Sequence, residues 1–241
     1  MVPTIKVEDV NKSYGKKPVL NGVNLTIPKG QLFGLIGPSG AGKTTLVKMI
    51  VGMEKADTGT IQVLNQKMPN LGLLQEIGYM AQSDALYVEL TGEENLKFFA
   101  SLFGLNKDVQ KTRIAYVASL VNLTEDLKKR VAAYSGGMKR RLSLAIALIQ
   151  DPKILILDEP TVGIDPELKL SIWKEFLRLK NEEGKTIIVT THVMDEAVKC
   201  DYVAMVRDGR ILTSGSPTEL KALYETDDFD EVFLKAGVKQ S

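Results

Sequence analysis

The residues able to do chemistry in this sequence fall into three groups. The first is Gly37-Pro38-Ser39-Gly40-Ala41-Gly42-Lys43-Thr44, followed by Thr45, with the spacing G-x-x-x-x-G-K-[ST]. Glycines let the main chain wrap closely around phosphate oxygens, with several N–H groups pointing inward. Lys43 brings a positive charge to the outer phosphates of a nucleotide, and the Thr44 hydroxyl is a ligand for Mg2+. A helix starting at this point adds its positive dipole end.

The second group follows the apolar run Ile154-Leu155-Ile156-Leu157 as Asp158-Glu159-Pro160. Such a run reads as a parallel strand whose carboxyl end meets a ligand crevice. Asp158 is placed to hold the Mg2+ shell, and Glu159, one step on, to polarise an attacking water as general base. A plainer alternative is a solvated strand-end turn. The third group, Tyr134-Ser135-Gly136-Gly137-Met138-Lys139-Arg140-Arg141-Leu142, opens a helix. A serine N-cap and two glycines leave N–H groups at a positive helix end, which is an anion site in its own right. Taken alone it is a capped helix; as a second phosphate-binding device on one chain it asks for more.

The elements that must position these groups alternate at both ends of the chain. Strands are expected over 4–7 and 19–27, a strand buried on both faces over 32–36, and a helix over 43–51 closed by Gly52. Asp57-Thr58-Gly59 reads as a turn before a strand over 60–64. From 84 to 150 the pattern turns helical. Thr91-Gly92-Glu93-Glu94 forms a capping box for a helix to about 103, and further helices cover about 107–121 and begin near 137. Strand and helix then alternate: 154–157, a helix from Pro166 to about 183 opened by Asp165, 186–190 and 203–206. The expected fold class is an α/β nucleotide-binding core (1–83 and 151–223) interrupted by a helical insertion (84–150) and followed by a tail (224–241). The tail, with acidic residues Asp227, Asp228, Asp230 and Glu231, is either a helix packed on the core or a partner contact.

Composition narrows the field. With 31 Lys+Arg against 30 Asp+Glu the net charge is +1, and no basic block invites nucleic acid. No apolar run approaches the roughly 20 residues of a membrane-spanning helix, and the polar start is unlike a signal peptide. The single cysteine, Cys200, excludes a disulfide framework and reads as a small buried residue.

Over almost all of its length the sequence resembles the ATP-binding cassette family: the phosphate loop, the Ser135-Gly136-Gly137 signature and the acidic strand stand in that family's order. The resemblance implies a P-loop NTPase core of the ABC ATPase type, with an antiparallel β subdomain and an inserted helical subdomain. It implies ATP and Mg2+ as cofactors, with Lys43, Gln82, Glu159 and His192 as the catalytic set. Gln82, after a strand over 77–80, matches the residue that senses Mg2+ and water, and His192 matches the switch histidine at the γ-phosphate. Asp165 matches the loop that crosses to a partner subunit, and Tyr14 the aromatic that stacks on adenine. Singly, each has a plainer reading as a polar cap or a half-buried strand residue. The family also implies a two-fold pairing, with a second copy or a homologous ATPase, in which each phosphate loop faces the partner's signature turn. An integral membrane permease is expected to dock around Gln82 and Leu86-Tyr87-Val88, which would place the chain on the inner face of the cell membrane.

Two departures stand out. Met138 replaces the usual glutamine after the glycine pair, and Val162-Gly163-Ile164-Asp165 replaces Ser-Ala-Leu-Asp. Together with Thr161 and Pro166 these look like the branch that powers ABC-2 type exporters. The alternatives are a soluble cassette that remodels other proteins and the motor of an importer; a P-loop kinase or GTPase does not account for Ser135-Gly136-Gly137.

Overall fold

A long β-hairpin opens the chain: β1 (Ile5–Tyr14) pairs antiparallel with β2 (Lys17–Ile27). The first strand reaches well beyond the expected 4–7. Ile5, Val7 and Val10 are buried, a set that breaks strict alternation, and Asp9 between them takes a left-handed φ of 47° where the pairing register shifts. The bulge thus returns Val10 to the core face, a slip that a period-two pattern conceals. The computed structural model describes residues 3–83 and 85–238. The first residue of the expected helical segment, Asp84, and the last three of the expected tail lie outside them.

Next come β3 (Leu32–Ile36), α1 (Lys43–Val51), β4 (Thr58–Val63) and β5 (Gln66–Lys67). Of the expected turn at Asp57-Thr58-Gly59, Thr58 and Gly59 are strand instead, because Thr58 pairs with Asn11 of β1; the expected last strand residue, Leu64, lies with Asn65 in the reversal to β5, with φ of 48° and 62°. After β6 (Ile77–Met80) follow α2 (Gly92–Leu102), α3 (Lys107–Leu120) and α4 (Gly136–Leu148). The chain continues through β7 (Ile154–Asp158), α5 (Pro166–Glu183), β8 (Thr186–Thr191) and the short α6 (Met194–Ala197). It ends with β9 (Tyr202–Arg207), β10 (Arg210–Gly215), α7 (Pro217–Leu223) and α8 (Phe229–Val238).

These elements group into two compact units. The first combines Met1–Leu73 with Thr186–Ser241. It holds the antiparallel sheet β2-β1-β4-β5 and the strand set β10-β9-β3-β8, in which β3 lies parallel to both β8 and β9. Every residue of β3 and β8 is buried, which explains the apolar run of β3 and the Ile187-Ile188-Val189 centre of β8. Helix α8 buries Phe229, Val232 and Ala236, and Lys235 donates to the Tyr224 carbonyl at 3.1 Å, so the Phe229–Val238 part of the tail is a packed helix. Cys200 is buried in this unit, and burial pushes its thiol up to about 12, which keeps it protonated.

The second unit, Leu74–Lys185, contains the parallel pair β6 and β7, in register from Ile77 with Ile154 to Met80 with Leu157. Thr91 caps α2 as expected: its hydroxyl accepts from the Glu94 N–H at 3.2 Å, and its own N–H donates to the Glu94 carboxylate at 2.7 Å. The segment before α2 is stitched to the segment after α3. Ala132 and Val131 donate to the Val88 and Leu90 carbonyls, and Gly92 and Glu93 donate to Lys129 and Leu127, at 2.8–3.2 Å. Tyr116 of α3 hydrogen-bonds Glu175 of α5, which also holds Arg178 at 2.6 Å. At the entry to β7, Asp151 accepts from Lys185 at 2.8 Å and faces Arg113 at 3.5 Å. Among the described residues, no helix is long and apolar enough to cross a membrane.

Candidate functional site

The first unit positions the phosphate loop by placing β3 between two buried neighbours. Ile36, the last residue of β3, pairs with Thr191 of β8 and Met205 of β9, so the loop leaves a rigid strand end. Gly37 must be glycine, since a Cβ there would stand 2.1 Å from the Val206 carbonyl oxygen. Pro38, Ser39 and Gly40 are exposed. Gly42 occupies the N-cap of α1 with φ of 104°, and it supplies no side-chain acceptor to the first-turn N–H groups of α1. Lys43 is 6% exposed, and its ammonium donates to the Gly37 and Pro38 carbonyls at 2.6 and 3.0 Å. The lysine therefore lies along the inside of its own loop, with Ala41 buried beside it and Thr44 and Thr45 half-buried on the first turn.

His192 follows β8 and is brought beside this loop, where the Gly37 N–H reaches the Thr191 carbonyl at 3.4 Å. The turn that carries it is set by its neighbour. The Thr191 hydroxyl donates to the buried Glu196 carboxylate at 2.6 Å and accepts from the Val193 N–H at 3.0 Å. His192 itself is exposed. Tyr14 ends β1 and is 49% exposed, with the Lys12 ammonium 5.5 Å from the centre of its ring. Its hydroxyl donates to Glu54, and this bond, with burial adding to it, raises the phenol above its ordinary value. The ring is thus an open, fixed face rather than a half-buried strand residue.

The second unit gathers the acidic pair and the signature. Asp158 closes β7 and is 1% exposed, whereas Glu159 is partly exposed and takes a left-handed φ of 53°. A bulky residue in that region is uncommon and costs energy unless its surroundings hold it there. Gln82, just beyond β6, donates from its amide to the Glu159 carboxylate at 3.4 Å, so two of the expected catalytic side chains face one another. Tyr79 on β6 lies nearby; burial and then the Asp158 charge push its phenol up to about 12, which keeps it neutral. Ser135 caps α4, its hydroxyl accepting from the Met138 N–H at 3.2 Å, and Gly136 is exposed beside it, with Gly137 half-buried. Asp165 caps α5 by accepting from the Leu168 N–H at 2.9 Å, so its carboxylate holds the loop 162–165 to the helix it opens.

One residue of this unit escaped sequence reasoning. Arg140, in the first turns of α4, is 8% exposed and donates to four main-chain carbonyls: Ala81, Gln82, Asp158 and Glu159. The available signal was register: Arg140, Leu144 and Leu148 lie four residues apart on one buried helix face, where an arginine needs a reason.

The comparisons with known proteins bear on the family and the fold. The family described as ABC transporter matches residues 20–162. The chain is 43% identical over 235 residues to an ABC transporter G family member 23 of Dictyostelium discoideum, covering 96% of this chain and 33% of that protein. It is 44% identical over 220 residues to a Nod factor export ATP-binding protein I of Rhizobium meliloti (strain 1021), covering 89% of this chain and 65% of that one. The chain therefore spans a third of the first relative and just under two thirds of the second. Among solved structures, a dimeric ATP-binding cassette in a post-hydrolysis state bound to ADP and Pi superposes with a TM-score of 0.83, at 26% identity, covering 88% of this chain and 98% of the other. Phosphate loop, signature turn and acidic strand thus stand in a shared fold, and the chain belongs to the ABC transporter family as an ATP-binding cassette.

Proposed function

We propose that this chain is the ATP-hydrolysing motor of an ABC-2 type exporter, working as a head-to-tail pair beneath a membrane permease. The observation that carries catalysis is the Gln82 amide facing the Glu159 carboxylate, 3.4 Å apart at the end of a buried strand. A carboxylate beside an amide, both at strand ends, has the means to hold and deprotonate a water. The phosphate side is supported by the glycine-walled loop, the helix start that Gly42 opens with no side chain of its own in the way, and the buried ammonium of Lys43, a fit for the charge and shape of a triphosphate. Tyr14 offers an open ring to adenine and His192 an imidazole to the γ-phosphate. Thr44, Gln82 and Asp158 are oxygen donors of the hard type that Mg2+ takes, and the ion would neutralise phosphate charge when bound.

In this reading Ser135 and Gly137 of one chain meet the γ-phosphate held by Lys43 and His192 of the other, and Asp165 stands in the loop that crosses between them. Hydrolysis removes the bridging charge and releases the pair, and the permease reads the change near Gln82 and Tyr87. The chain divides accordingly into a core (1–83 and 151–223), a helical subdomain (84–150) and a tail (224–241). Export is supported by the Nod factor export relative, and a place on the inner membrane face by the permease such a motor serves.

The test is complementation between two inactive variants. Ser135→Arg spoils only the signature turn and Lys43→Ala only the phosphate loop. A mixed dimer carries both lesions in one composite site and neither in the other, so phosphate release returns on mixing, measured at high protein concentration. Demonstrated mixed dimers without recovered turnover would sink the shared-site arrangement.

A further inference from the structure

The guanidinium of Arg140 makes a pattern of contacts that bears on the reaction rather than on packing alone. One terminal nitrogen donates to the Ala81 and Gln82 carbonyls at 2.8 and 2.9 Å. The other donates to the Asp158 carbonyl and, at 2.7 Å, to that of Glu159. Within each pair, the two carbonyls lie on the peptide planes flanking one residue: Gln82 in the first case, Glu159 in the second. A peptide plane is rigid, so fixing both planes around a residue fixes its φ and ψ. A guanidinium is a flat, preformed fork, and here its two arms fix two such residues relative to one another.

We propose that Arg140 is the positioning residue of the hydrolytic reaction, clamping the backbones of Gln82 and Glu159 so that amide and carboxylate face each other. The inference rests on the ATPase reading and deepens it. Two further observations support it. Glu159 is held at φ of 53°, a conformation a glutamate does not choose by itself, and the clamp acts on both sides of that strained bond. Arg140 is also part of α4, five residues after its N-cap Ser135. Signature turn and catalytic pair therefore hang on one helix, so a displacement of α4 by an anion at Ser135 reaches Glu159 without an intervening flexible segment.

The decisive variants are Arg140→Lys, which keeps the charge but offers a point donor in place of a fork, and Arg140→Ala, which leaves a guanidinium-shaped space. Lys43, Thr44 and the rest of the phosphate loop are unaltered in both variants, so ATP and ADP affinities and KM should stay within about threefold of wild type. Turnover should fall about a hundredfold, the scale lost when a general base is misplaced. Added guanidine at low concentration should restore part of kcat to Arg140→Ala and none to Glu159→Gln. If Arg140→Ala does not fold, Arg140→Lys decides alone, with hydrogen exchange at 81–83 and 159–162 faster than in wild type. Wild-type kcat in Arg140→Lys, or a loss shared equally by nucleotide affinity and turnover, overturns the positioning role. A wild-type chain that binds ATP, forms dimers and releases no phosphate overturns the ATPase reading instead.

Discussion

Replacing Glu159 by glycine and, separately, by alanine isolates the backbone strain at the strand end. Both variants lose the carboxylate and its 3.4 Å contact with Gln82, so these losses cancel in the comparison. What differs is the cost of φ at 53°. A residue with a Cβ pays about 1–2 kcal/mol to sit in the left-handed region, and glycine pays almost none. Glycine returns about 0.5–1 kcal/mol through the greater freedom of its unfolded chain. The balance leaves Glu159→Gly more stable than Glu159→Ala by roughly 0.5–1 kcal/mol, or about 1–4 °C in Tm for a chain of this length. In an ordinary strand or helix interior the order is reversed, so the sign carries the test. Differential scanning calorimetry on the two variants reads it directly, and phosphate release should be down at least a hundredfold in both. A glycine variant melting below the alanine variant would refute the account of Glu159 as strained and externally held.

Two further outcomes are expected. His192→Ala should lower ATP turnover with ADP affinity nearly unchanged, because the turn beneath it is set by Thr191 and Glu196; equal losses of ATP and ADP affinity in calorimetric titration would reduce His192 to a structural cap. Burial pushes the Asp151 carboxyl up, but the Lys185 hydrogen bond and the Arg113 and Lys185 charges outweigh it and hold it below its ordinary 3.8. A depressed carboxylate stabilises the fold above its unfolded pKa and loses that contribution as pH falls through the lower folded value. Asp151→Asn should therefore trail wild type in urea midpoint at neutral pH and close the gap below about pH 3.8; an equal gap at both would remove the ion pairs from the account.

What could be read from the sequence was whatever is local. β3 with its apolar run, α1 between Gly42 and Gly52, the Thr91 capping box and the Asp165-Pro166 start of α5 all lie where their own residues put them. The errors came where a distant partner decides. Thr58-Gly59 has turn chemistry, yet Asn11 draws Thr58 into β4, and the bulge at Asp9 hides the length of β1. The helix α7 was legible and overlooked: Ser216-Pro217-Thr218-Glu219 is a capping box with a proline at the first helical position. The phosphate loop, the Asp158-Glu159 pair and the Ser135 turn could be named from residue type and spacing, and Tyr14, Gln82, Asp165 and His192 from the family resemblance, but the clamp on Gln82 and Glu159 could not. Its acceptors are main-chain carbonyls, 18 to 59 residues from Arg140, and a carbonyl carries no sequence signal.

The stitch between 88–93 and 127–132 has a consequence for how such a chain diversifies. Because α2 and α3 leave and rejoin the main chain at one hydrogen-bonded crossing, the ends of that excursion are already held together. Lengthening, shortening or exchanging what lies between then costs little additional closure entropy. The excursion also carries apolar side chains in the open, Phe98 and Leu102 on α2 among them, while Gln82, Arg140 and Glu159 all lie outside it. Inheritance can thus rewrite the outward faces of these helices as one contiguous block, so long as the ties of Tyr116 to Glu175 and of Arg113 to Asp151 are kept, which makes this short stretch a natural place for related chains to part company.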